Sequence, residues 1–138
     1  MTYFPEGMIP PPVTMDTVGF WEAAREHRLV LQRCDDCGRF QHPPAPVCHR
    51  CRSAAVRWAD VEGRGNVYTY TAVHKAFIPA LQDHLPYVVA VIELPGAGGT
   101  RIVSNLVDVA PSDVSIGMEV DPVWDDYPEL SVPRFRPV

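Results

Sequence analysis

Lysine is almost missing from this chain: Lys75 is the only one in 138 residues, and the net charge is −5. That balance argues against the polybasic surface by which proteins hold nucleic acid through counterion release. No apolar run approaches the roughly 20 residues that a membrane-crossing helix needs. The opening stretch, MTYFPEGMIPPPVTMDT, lacks the charged-then-apolar order of a secretory signal, so a cytoplasmic location is expected. Cysteine is absent outside residues 34–51. Thiols stay reduced in the cytoplasm, which points the few cysteines present towards metal rather than disulfides.

What remains is an ordinary globular composition. The chain is 46% apolar and 9% aromatic, enough for one compact domain or a domain with a small satellite. Charge is unevenly spread. Seven arginines and three acids fall between Arg25 and Trp58, whereas residues 108–129 hold seven acids and no Lys or Arg. One region favours anions and the other repels them.

All four cysteines lie in CDDCGRFQHPPAPVCHRC, as two C-x2-C pairs ten residues apart. Two residues between cysteines let a tight turn aim both sulfurs at one point. Two such knuckles, Cys34/Cys37 and Cys48/Cys51, supply the four thiolates of a closed tetrahedral zinc site. Gly38 suits the positive φ that such a turn needs. A thioredoxin-like motif would use one pair within a βαβ unit, a pattern missing here. Iron in the same four sulfurs stays open at this level. With no ligand position left for water, the metal is expected to be structural, and no cysteine remains as a nucleophile. Four thiolates and Zn2+ would take the net charge to about −7. His42 and His49 are expected at the surface.

Local patterning sets the remaining elements. Residues 1–15, with Pro10, Pro11 and Pro12 in succession, read as an extended arm. Asp16 or Thr17 can cap a helix running to about His27, on which Val18, Trp21 and Ala24 recur at helical spacing. Residues 29–33 read as a strand entering the first knuckle. WADVEGRGNVYTYTAVHKAF, YVVAVIEL, TRIVSNLVDV and MEVDPVW then alternate or run apolar between Gly/Pro turns, with YVVAVIEL central. Several such strands without long intervening helices predict a small closed barrel. The tail YPELSVPRFRPV, rich in proline and without periodicity, reads as a second extended arm carrying Phe135 as an apolar anchor for a partner. The expected organisation is therefore mainly β: an arm over 1–15, helix plus cysteine ribbon over 16–58, barrel over 59–126 and an arm over 127–138.

The ordered run LQRCDDCGRFQHPPAPVCHRCRS, VEGRGNVYTYTAVHKAF, LPYVVAVIELPG, RIVSNLVD and IGMEV resembles the acyl-CoA-associated family with a rubredoxin-like zinc ribbon and a C-terminal OB-fold. The resemblance spans residues 17–124. It implies Zn2+ and an accessory role beside thiolase-fold enzymes or hydratases acting on CoA thioesters. The form implied is a free-standing subunit, as in steroid side-chain degradation by a thiolase-like retro-aldolase. A thiolase or condensing-enzyme partner is the alternative. No nucleophile or acid/base set for catalysis is evident: His74, Lys75, Asp83 and His84 read as solvated loop residues. For coenzyme A or a partner, Lys75, Phe77, Ile78, Pro79 and Tyr87 are expected at one barrel rim, with Arg64 reaching the same neighbourhood. Simple closure of the barrel end by Phe77, Ile78 and Leu81 is an equal reading. Nucleic-acid binding, a role both modules can serve, lacks basic company for Tyr68 and Tyr70. A free-standing enzyme is the remaining class.

Overall fold

In the computed structural model, which describes residues 2–8 and 10–138, the helix α1 (Val18–Arg25) buries Phe20, Ala23 and Ala24. Of the expected N-terminal arm, Met1 and Ile9 lie outside the described residues. Helix α1 leads into a three-stranded sheet in the order β2-β1-β3, made of β1 (Val30–Cys34), β2 (Phe40–Gln41) and β3 (Val56–Asp60). Both pairings are antiparallel. The run expected as one barrel strand is therefore two. Residues 56–60 belong to the ribbon, and the chain breaks direction at 61–64 before β4 (Gly65–Val73).

The barrel follows as β4, β5 (Tyr87–Leu94), β6 (Thr100–Leu106), β7 (Glu119–Asp126) and β8 (Ser131–Pro137), closed in the order β4-β5-β6-β8-β7. β5 is central: seven residue pairs join it to β4 and seven to β6. Its inward residues Val88, Ala90, Ile92 and Leu94 are buried, while the alternate ones are half-exposed. Such alternation is the mark of a sheet with one face in the core.

The C-terminal segment corrects the sequence reading. Residues 131–137 are the fifth barrel strand, and Phe135 is fully buried, opposite Pro122 on β7 and Leu106 on β6. Phe135 anchors the chain's own core rather than a partner. Proline is tolerated because β8 meets β6 at a single residue pair, so few ladder hydrogen bonds are lost on that side. Inward residues of the ribbon and barrel form one cluster, in which Phe20, Leu29 and Leu31 join Val67, Ile92, Leu106, Val120 and Phe135. At Gly19 the helix comes so near Trp58 that an added Cβ would lie 2.1 Å from the indole Nε1.

The N-terminal segment lies on the barrel. Phe4 is buried, edge-on to Tyr87 at 5.2 Å and 4.9 Å from the Arg134 guanidinium. A buried ion pair, Arg134 Nε to Asp125 Oδ2 at 2.9 Å, organises this region. Arg134 also donates to Asn105 and Tyr127, and the Tyr3 amide donates to Asp125 at 2.9 Å. With its donors used, the buried guanidinium avoids the penalty of an unpaired charge.

Candidate metal centre

The two knuckles are built alike. Gly38 N–H donates to the Cys34 carbonyl at 2.8 Å, and Arg52 N–H donates to the Cys48 carbonyl at 2.9 Å. The Cys34 and Cys48 amides close the turns on Arg39 and Ser53 carbonyls. Each turn needs a left-handed residue, supplied by Gly38 at φ 74° and by Arg52 at φ 63°. The glycine was legible in the sequence; the arginine in the equivalent place was not, because side chains rarely adopt that region.

The four sulfurs all lie within 4.8 Å of one another. Cys34 and Cys51 Sγ are 3.5 Å apart, and Cys37 and Cys48 Sγ 3.7 Å. These spacings are far beyond a disulfide bond of about 2.05 Å. They fit the edge of a tetrahedron with Zn–S near 2.3 Å, about 3.8 Å. Two of the thiols are pushed in opposite directions. Backbone amides of Cys51 and Arg50 pull Cys48 down to about 6. Cys51, despite the lowering amide of Ser53, is driven up to about 12 by its sulfur neighbours and burial. A dication resolves this conflict by taking all four as thiolates.

A buried pair that the sequence reading missed supports the second knuckle. Gln41 donates to the Gln32 side-chain oxygen and to the Val47 carbonyl, and its Oε1 accepts from His49 N–H at 2.9 Å. Gln32 exchanges hydrogen bonds with both the amide and the carbonyl of Ala45. Polar residues at inward positions of β1 and β2 were the available signal. His49 is exposed as expected, but His42 is half-buried. Its ring packs 5.8 Å from Phe20, its Nδ1 is buried without a partner, and burial lowers its pKa.

The other expected contact residues divide. Phe77 and Ile78 are 79% and 45% exposed, and Lys75 Nζ sits 5.5 Å from the Phe77 ring centroid. Both stay exposed, whereas Leu81 in the same loop is buried. Pro79 opens the 3-10 turn Pro79–His84, and Tyr87 is half-covered by Phe4. Arg64 does not join them. It precedes β4, whereas the loop follows that nine-residue strand, a separation of roughly 25 Å. Its guanidinium is paired with Asp121 at 3.0 and 3.3 Å. Tyr68 does have basic company: Arg101 lies 3.6 Å from its ring centroid, although that charge is paired with Glu93.

Residues 21–57 match the family model described as "ChsH2, rubredoxin-like zinc ribbon domain", and residues 58–125 match "ChsH2, C-terminal OB-fold domain". The chain belongs to this ChsH2 zinc-ribbon and OB-fold family. The family and the four clustered sulfurs together make the ion a structural Zn2+. The chain is 43% identical over 135 residues to a probable enoyl-CoA hydratase alpha subunit of Thermomonospora curvata, covering 96% of this chain and 41% of the relative. It is 32% identical over 133 residues to the 3-oxo-4,17-pregnadiene-20-carboxyl-CoA hydratase alpha subunit of Mycobacterium tuberculosis, with the same coverages. The chain thus spans about two fifths of the length of these two relatives. A DUF35 domain-containing scaffold protein of Methanocaldococcus jannaschii is 38% identical over 106 residues, 75% of this chain and 73% of the relative. Among solved structures, a chain of the Ltp2-ChsH2(DUF35) aldolase superposes with TM-score 0.84 at 43% identity, covering 93% of this chain and 98% of that one. Among the described residues, no helix is long and apolar enough to cross a membrane.

Proposed function

We propose that this chain is a non-catalytic subunit of a complex acting on CoA thioesters, and that its partner is a thiolase-fold aldol lyase of steroid side-chain degradation. The observation carrying this reading is the superposition on nearly the whole of one chain of an aldolase complex, at an identity well above that of mere fold likeness. The chemistry of the residues supports it. Every thiol lies in the metal cluster, which leaves no cysteine to attack a thioester. A small protein whose reactive side chains hold structure contributes by assembly.

The loop after β4 is the surface we assign to the partner. Phe77 and Ile78 stand adjacent and exposed, the kind of apolar anchor that becomes buried at the centre of an interface. Cytoplasmic location belongs to the same reading. The test is co-expression with a thiolase-fold aldol lyase from the same source. The two chains are expected to co-elute and to cleave a β-hydroxyacyl-CoA of the steroid side-chain type. A Phe77→Glu, Ile78→Glu double variant is expected to elute apart from the partner while retaining one zinc per chain. Co-elution unchanged by that variant rejects the loop as the contact. A wild-type pair that never associates rejects the subunit assignment.

A further inference from the structure

Among the described residues of 2–16, only Phe4 is buried. The rest of this arm is rich in proline and mostly exposed, so little in its own backbone keeps it in place. Two residues fasten it. Tyr3 N–H donates to Asp125 Oδ1 at 2.9 Å, and Phe4 N–H donates to the Tyr127 hydroxyl at 3.2 Å. Both acceptors are themselves held: Asp125 by its buried ion pair with Arg134, and Tyr127 by donating to Asp125 Oδ2 at 2.8 Å. Beyond Phe4 the chain bends away at Gly7, whose φ is 85°. A cavity of about 130 Å³ separates Pro5, Met8 and Pro10 of the arm from Leu130 and Val132 of the barrel. The arm is pinned at Phe4 and loosely packed after it.

The socket that receives Phe4 is shared with the loop after β4. The Phe4 ring stands edge-on to Tyr87, with centroids 5.2 Å apart, and lies 6.1 Å from the His84 ring. His84 ends the 3-10 turn Pro79–His84. Ile78 precedes that turn, and its carbonyl accepts from Leu81 N–H at 2.9 Å. One turn of six residues therefore has exposed Ile78, beside Phe77, at its head and Phe4 against its tail. Leu81 is the one side chain that the turn itself buries. A single buried leucine fixes one point of a loop, and a second contact at the far end is what fixes its orientation. Loops with so little buried apolar surface open locally at small cost.

We propose that Tyr3 and Phe4 form a strap that holds the Pro79–His84 turn in the shape in which Phe77 and Ile78 meet the aldol lyase. Lifting the strap leaves ribbon and barrel folded but lets the loop sample other shapes. Ordering the loop again on docking then weakens binding, because association bears the cost of fixing a mobile segment. This inference rests on the reading of the chain as a subunit, and it deepens that reading. The N-terminal arm sets how tightly the partner is held without supplying the contact, so Phe4 is a positioning residue and Phe77 and Ile78 are the contact.

The test uses the full zinc-loaded chain, in two measurements: amide hydrogen exchange of the chain alone, and calorimetric titration into a purified thiolase-fold aldol lyase from the same source. Phe4→Ala is expected to speed exchange of amides in 80–87 by roughly tenfold or more and to weaken lyase binding by roughly tenfold. Exchange in 30–60 and 102–106 and the zinc content are expected to stay as in wild type. Phe4→Leu refills the socket and is expected to recover most of both effects. Tyr3→Pro removes one backbone donor while keeping the Phe4 ring, and is expected to move the same amides by a smaller factor. Unchanged exchange in 80–87 for Phe4→Ala would overturn the strap. So would faster exchange with unchanged affinity, or a fall in affinity without faster exchange, which would make Phe4 a direct contact. Loss of protection reaching 102–106 would place Phe4 in the core and overturn the strap as well. The subunit reading fails differently: a wild-type chain that never binds the lyase refutes that reading and the arm's hold on affinity together, whereas unchanged exchange in 80–87 sinks the strap alone.

Discussion

The ribbon and the barrel sit side by side but are held by different forces. Residues 30–60 form three short strands around four sulfurs, with polar glutamines where a larger domain would place aliphatics. The barrel closes on Val67, Ile92, Leu106, Val120 and Phe135, all essentially without solvent exposure. Burial of such side chains contributes about 1.5–3 kcal/mol each, so the barrel needs no ion. The ribbon has little apolar surface to bury and draws its order from metal ligation, worth roughly 10 kcal/mol or more in small zinc modules. The apolar ties between them are Phe20, Leu29 and Leu31 in the shared core, with Trp21, Phe40 and Trp58 packed against it. Stability is therefore local in origin although the core is continuous.

Metal removal separates the two regions most forcefully. Cys48→Ser, or chelation of wild type, is expected to abolish hydrogen-exchange protection across residues 30–60 while amides of 88–94 and 102–106 keep most of theirs. Simultaneous loss in both would show a single cooperative unit. Next in size, Phe135→Ala is expected to cost about 3–5 kcal/mol in denaturant unfolding with zinc content unchanged. A loss below 1 kcal/mol would return the tail to the status of an arm. Gln41→Ala leaves His49 N–H and the Val47 carbonyl without their partner, which costs about 1–3 kcal/mol per buried group. Its effect should appear as faster zinc release to a chelator, with the barrel's near-UV signature intact. Arg52→Gly makes the second knuckle resemble the first. It is expected to raise ribbon stability by about 1 kcal/mol, because glycine takes the positive φ without strain. A fall in melting temperature instead would mean that the Arg52 side chain contributes more than its backbone costs.

What could be read from sequence follows the same division. The metal ligands were legible because the turn that aims two sulfurs at one ion fixes their spacing to two residues. The helix, β1 and β4–β7 were legible from capping, alternation and glycine turns, whereas β2 went unseen and β3 was read as the start of the barrel. β8 was not, since its prolines break the usual strand signal and its alternation of Ser131, Pro133 and Phe135 inward is visible only once a neighbour pairs with it. The OB-fold match likewise ends at residue 125, before that strand. Gln32 and Gln41 were missed because polar residues at inward positions read as surface until their partners are known. Of the expected contact residues, Arg64 alone was grouped wrongly: it and Lys75 are near in sequence, but an extended strand puts its ends far apart.

The central claim is that this chain organises thioester chemistry carried out by another. Its most direct test is to assay the purified chain, a purified thiolase-fold aldol lyase from the same source and the co-expressed pair for retro-aldol cleavage of one CoA thioester. The account predicts cleavage by the pair and none by this chain alone. Turnover by the isolated chain, or a lyase equally active without it, would contradict the account.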